Sequence, residues 1–233
     1  VQKGKCAMCG KKLSWYYPFS EILTGLAFVG VAYMSGIFEF FNLPTALSFA
    51  FLLIMACSYI VIFLTDLKHQ IIPNKVVYPA IIFVFLFIVG NATYYLISTY
   101  HRLKTDAFGI YLLEAGYLHV QALNILKSLG LILLSSFLIA GFFAFLVKIT
   151  KGRGMGAGDI KLGFLIGLFN GFPQNIIAIF SGFVIGAAVS LLLIILKIKT
   201  LKDTVPFGPF LIIGSLVALF WGADLWRFYT TLF

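Results

Sequence analysis

The stretch LPTALSFAFLLIMACSYIVIFLTD, residues 43–66, decides the fold. Residues 43–65 carry no charged side chain, and the run then stops at Asp66. A helix needs about 20 apolar residues to cross ~30 Å of hydrocarbon, so a run of this length reads as a membrane span ending on a carboxylate. Outward from it the same pattern repeats. About seven apolar segments can be read, at 17–36, 43–65, 76–98, 124–147, 160–172, 174–196 and 208–222. The fifth and seventh are short, and the fifth, which follows Asp159, reads as a half-buried or strongly packed helix. Asn42 with Pro44, Pro73 with Asn74, and Asn170 with Gly171 and Pro173 mark the turns between segments. The expected fold class is all-α, a polytopic membrane helical bundle with about seven membrane segments. The chain starts on valine, and one further N-terminal span is expected ahead of it.

Composition supports this reading. Hydrophobic residues make up 61% of the 233 and charged residues 11%, against about a quarter charged in a soluble domain. The mean hydropathy is +1.05. Too few polar side chains remain to cover a water-facing surface. No secretory signal is visible, because the start is basic and carries Cys, Trp and Pro in place of a short apolar run.

The net charge is +9. In a soluble protein that would suggest nucleic acid, but here the cations alternate between rich and poor loops, so no nucleic-acid partner is expected. One set of loops holds thirteen: Lys3, Lys5, Lys11, Lys12, Lys68, Lys75, Lys148, Lys151, Arg153, Lys161, Lys197, Lys199 and Lys202. The other holds four: Arg102, Lys104, Lys127 and Arg227. Excess Lys and Arg mark cytoplasmic loops, so the first set is placed in the cytoplasm. The connection at 99–123 is the longest external loop.

Eight acidic residues are present, and an acid at a membrane-buried helix end costs a few kcal/mol and calls for a reason. Asp66 ends the second span and Asp159 begins the fifth, both on the side assigned to the cytoplasm. Each alone also fits a simple polar helix terminus or cap. Together, at one depth, they suggest a coupled pair in which one carboxyl keeps a proton and the other stays charged. Such a pair can take a proton from water and give one to a scissile carbonyl, hydrolysing an amide without a covalent intermediate. No HExxH zinc motif and no GxSxG elbow is present. Before Asp159, glycine recurs at every second position from Gly152 through Gly154 and Gly156 to Gly158. Without Cβ atoms that backbone can approach another chain closely, as an extended peptide substrate would require. Nucleotide binding is not indicated, since the GxxxxGK[ST] pattern is missing.

Four ordered motifs resemble the type IV prepilin peptidases, with their type II secretion and competence relatives. They are KGKCAMCGKKLSWYYPFSEILTG at 3–25, TDLKHQIIPN at 65–74, GMGAGDIKL at 154–162 and VPFGPFLIIG at 205–214. The resemblance spans nearly the whole chain. It implies a GxGD-type membrane aspartic peptidase of the bacterial inner membrane with its active site at the cytoplasmic face and Asp66 and Asp159 as the catalytic acids. The implied substrates are prepilins or pseudopilins held in the lipid bilayer, from which a short basic leader is cut. Many members also N-methylate the new N-terminus with S-adenosylmethionine, and Glu21 is the candidate for that step. Gly154, Gly156, Gly158, Pro206 and Gly208 are the candidates for substrate or loop access. The implied domains are a cytoplasmic CxxC segment at 1–16 and a transmembrane peptidase domain at 17–233.

Proteolysis by two carboxylates requires no cofactor. Cys6 and Cys9 form one CxxC pair and are the candidate ligands of a structural zinc. Many family members carry two such pairs, and a closed tetrahedral zinc site takes four ligands, so a structural turn with free thiols competes with the metal. Two rival functions remain. A GxGD protease acting on another transmembrane substrate would keep the chemistry, and comparing a prepilin with a generic transmembrane helix separates the two. A transporter or channel would use the intramembrane carboxylates for ions, and Asp159-dependent proton flux without cleavage would mark it.

Overall fold

A computed structural model describes residues 12, 14–39, 41–151, 155–200 and 205–232. Among them are eight helices: α1 (Tyr16–Met34), α2 (Leu43–His69), α3 (Asn74–Thr105), α4 (Gly109–Glu114), α5 (Tyr117–Ile149), α6 (Ala157–Asn170), α7 (Gln174–Ile195) and α8 (Gly208–Leu232). Six of these, all but α4 and α6, are long and apolar enough to cross a membrane. Most of their large apolar side chains are exposed, the outside expected of helices whose solvent is lipid.

The chain divides into two compact units, residues 1–64 and 65–233. The first holds α1 and most of α2. Pro18 and Pro44 fall in the first turns of their helices, where the missing N–H costs nothing. Asn42 starts α2 by a reciprocal cap: the Thr45 N–H donates to Asn42 Oδ1 at 2.9 Å, and the Asn42 N–H donates to Thr45 Oγ1 at 3.0 Å. The Tyr16 hydroxyl donates to the Leu64 carbonyl at 3.2 Å, tying the start of α1 to the far end of α2.

In the second unit α6 is the central element, meeting α3, α5, α7 and α8. At 14 residues it is about 21 Å long, short of the hydrocarbon thickness. The sequence explains its position. Gly163 and Gly167, four residues apart, form a flat stripe on which Phe143 and Ser136 of α5 rest, and a Cβ on Gly163 would collide with the Phe143 ring. Small residues at this spacing let helix backbones approach in a membrane, where tight packing replaces the hydrophobic drive. The pair α7 and α8 is the most extensive contact. It uses the same device, since a Cβ on Gly214 would strike the Ala178 carbonyl and Gly182.

Two expectations about segment limits change. The seventh segment does not stop at 222: α8 continues through Trp226 and Arg227 to Leu232. The stretch 99–123 is mostly helical, because α3 runs to Thr105 and α5 starts at Tyr117, with α4 between them. Arg102 and Lys104 fall in the last turn of α3, where cations suit the negative end of the helix dipole.

Candidate active site

Asp66 lies in the last turn of α2 and Asp159 in the first turn of α6. Both are buried, at 5% and 7% exposure, and both line one cavity of about 440 Å³. Each is held by a backbone N–H at a helix start. Asp159 Oδ2 accepts from the Gly156 N–H at 2.9 Å, while the Asp159 N–H donates to the Gly156 carbonyl at 3.1 Å. This closed loop caps α6 with its own acid. Asp66 Oδ2 accepts from the N–H of Gly208, the first residue of α8, at 3.0 Å. The first N–H groups of a helix have no partner within it, and its positive end favours a carboxylate. The two acids thus sit at the N-termini of two different helices.

Burial pushes the Asp159 carboxyl up from its ordinary value near 3.8 to about 6. The Gly156 hydrogen bond opposes the rise and the Asp66 charge adds to it. Two carboxyls so arranged can hold one proton and one charge between them.

The glycines divide by what surrounds them. A Cβ on Gly208 would lie 2.6 Å from Asp66 Oδ2, so this position needs glycine for the acid to reach the backbone N–H. A Cβ on Gly158 would lie 2.9 Å from Ile72 Cβ, which brings the turn after α2 against the start of α6. A Cβ on Gly156 would meet only ordinary contacts, 3.8 Å from Asp159 Oδ2 and 3.9 Å from the Gly158 nitrogen, on an ordinary extended backbone at φ −89°, ψ 160°. Gly156, Gly158 and Pro206 all line the cavity with the two acids. Gly154, Cys6 and Cys9 lie outside the described residues. Glu21 stands exposed on α1 in the first unit, beyond that helix's first turn. Among the described residues no three His, Cys, Asp or Glu side chains could hold a metal ion.

Sequence reasoning passed over Lys161, Asn74 and Phe207, which also line the cavity. In the sequence Lys161 reads as one more cytoplasmic cation, although it follows Asp159 by two residues on the same helix. The Gly163–Gly167 spacing was the available sign that α6 is packed on all sides.

The sequence profile of the type IV leader peptidase family matches residues 53–191, the stretch that carries both acids. That of the bacterial peptidase A24 N-terminal domain matches residues 1–35. The chain is 28% identical over 229 residues to the prepilin leader peptidase/N-methyltransferase of Bacillus subtilis, covering 98% of this chain and 75% of that protein. It is 28% identical over 234 residues to the protein of that name from Aeromonas hydrophila, with 99% and 67% covered. For the one from Pseudomonas aeruginosa the identity is 26% over 227 residues, with 97% and 65% covered. The chain therefore spans about two thirds to three quarters of the length of these relatives. No solved structure matches it. With six helices long and apolar enough to cross a membrane and a profile match over more than half its length, this multi-pass bacterial membrane protein belongs to the type IV leader peptidase family.

Proposed function

We propose that the chain cuts the basic leader peptide from type IV prepilins or pseudopilins at the cytoplasmic face of the inner membrane, with Asp66 and Asp159 as the catalytic pair. The observation that carries this reading is that two buried carboxyls from distant parts of the sequence line one cavity. The charged member takes a proton from water as the water oxygen bonds to the scissile carbonyl carbon. The protonated member gives its proton to the carbonyl oxygen. The tetrahedral gem-diol then collapses: the carboxyl that took the water proton passes it to the amide nitrogen, one hydroxyl of the adduct returns its proton to the other carboxylate, the C–N bond breaks, and the new amine leaves. The thirteen-to-four distribution of cations supports the cytoplasmic placement. The relatives' shared name supports prepilins as substrates.

That name also supports a second step, N-methylation of the freed amine. S-adenosylmethionine would supply the methyl group. Glu21 fits by charge, since an exposed carboxylate can hold a cationic amine or sulfonium. Cys6 and Cys9 make two of the four ligands of a closed zinc site, and no step here depends on a metal.

The test uses purified protein in detergent micelles with a prepilin. Asp66→Asn and Asp159→Asn should each leave less than about a tenth of the cleavage rate in a folded protein, because an amide cannot relay the proton. Cleavage above that level in either variant overturns the assignment, and equal cleavage of an unrelated transmembrane helix overturns the substrate.

A further inference from the structure

Lys161 stands two residues past Asp159 on α6, so its side chain leaves the helix on a different face from the carboxylate. Its Nζ donates to Asn74 Oδ1 at 2.8 Å and lies 5.0 Å from the centre of the Tyr78 ring. Asn74 is the first residue of α3 and Tyr78 lies one turn further on, so the two present one face to the ammonium. Asn74 and Lys161 share the cavity with Asp66 and Asp159.

The chain from Asp66 to Asn74 passes through the end of α2 and the non-helical residues 70–73. Gln70 there holds a left-handed φ of 54°, a conformation that costs about 1–2 kcal/mol for a residue with a Cβ. A turn of that kind has to be held by its surroundings. Contacts from α6 reach it at Ile72 and, just past it, at Asn74. Ile72 rests on the bare backbone of Gly158, a contact without direction. Lys161 with Asn74 supplies a directed, charge-assisted hydrogen bond. The two acids sit on separate elements, and this bond joins the segment that follows one of them to the helix that carries the other.

We propose that Lys161 is a positioning residue: its hydrogen bond to Asn74 holds the α2–α3 turn on the start of α6 and so sets the separation of Asp66 and Asp159. The inference rests on the reading of those acids as the working pair. Two carboxyls that must act on one peptide bond tolerate little displacement, and a shift of about 1 Å costs on the order of a hundredfold in rate.

The experiment measures kcat and KM for prepilin cleavage by the full chain in micelles. Lys161→Met keeps the packing on Tyr78 and removes the donors. It should lower kcat about tenfold or more and leave KM within about twofold, the mark of an effect confined to the transition state. Asn74→Leu should match it, and the double variant should be no slower than either, since both remove the same bond. Lys161→Arg and Asn74→Asp keep a donor and an acceptor and should stay within about threefold of the original rate. A rise in KM at unchanged kcat would make Lys161 a substrate contact. That result, multiplied losses in the double variant, or failure of the conservative variants overturns the proposal. If Lys161→Met does not fold, the contrast of Asn74→Leu with Asn74→Asp decides. Asp66→Asn runs alongside: if it still cleaves, the reading of the acid pair fails, whereas an inactive Asp66→Asn beside a fully active Lys161→Met sinks only the role of Lys161.

Discussion

Adding one methyl group at Gly208 tests how tightly Asp66 is held. In Gly208→Ala the new Cβ would lie 2.6 Å from Asp66 Oδ2 and 3.4 Å from Leu162 Cδ2. Heavy atoms in contact rest near about 3.5 Å, so carboxylate and methyl must part by close to 0.9 Å. The Gly208 N–H now donates to that oxygen at 3.0 Å. A displacement of this size carries the pair past hydrogen-bonding distance. Such a bond to a charged group contributes about 1.5–3 kcal/mol, or about ten- to a hundredfold in rate if lost only from the transition state. Misplacement of the acid adds to that. The expected result is a fall in kcat of about a hundredfold, read as conversion of a prepilin to its shorter form by purified protein. The atom in the way is the end of a side chain that can turn aside, so the variant should remain folded. Gly141→Ala on α5, where a Cβ meets nothing within 4 Å, is the control. Cleavage by Gly208→Ala within about threefold of the control would refute the argument that the α8 N-terminus positions Asp66.

Three further outcomes are expected. Burial raises Asp159 from near 3.8 to about 6, so the folded chain binds that proton more tightly than the unfolded chain. Its stabilising effect is present at low pH and lost as pH rises through that interval. Unfolding midpoints at pH 4.5 and 7.5 should therefore show the original chain losing ground to Asp159→Asn as pH rises, and a constant difference would count against a raised value. Gly163→Ala places a Cβ into the Phe143 ring and should destabilise by about 1–3 kcal/mol; an unchanged midpoint in a detergent unfolding titration would remove α6 from its tight seat on α5. Glu21→Gln should reduce the methyl mass increment on the mature N-terminus more than it reduces cleavage, and parallel loss of both would end its assignment to methylation.

Much of the architecture was legible because the bilayer limits what a sequence can do. Backbone groups in hydrocarbon must be satisfied within the segment, so the uncharged run ending at Asp66 had to be a helix. Its companion runs followed by the same rule. Limits near the interface were less legible: the last segment reads as ending at 222 with Arg227 in a loop, although the helix continues to Leu232. The stretch 99–123 read as a loop because its polarity is mixed, yet α3, α4 and α5 take up most of it.

The sequence by itself determined that Asp66 and Asp159 end and begin helices, because a lone acid beside an apolar run falls at a boundary when charge avoids hydrocarbon. Only the tertiary structure decided that both line one cavity, that the N–H serving Asp66 comes from Gly208 some 142 residues away, and that Lys161 reaches Asn74. Those relations depend on which helix faces meet, and that is fixed by the shapes of side chains, here the bare glycine stripe of α6 against Phe143 and Ser136. Periodicity and charge report how each segment meets its solvent; they carry no information about which neighbour fits against it.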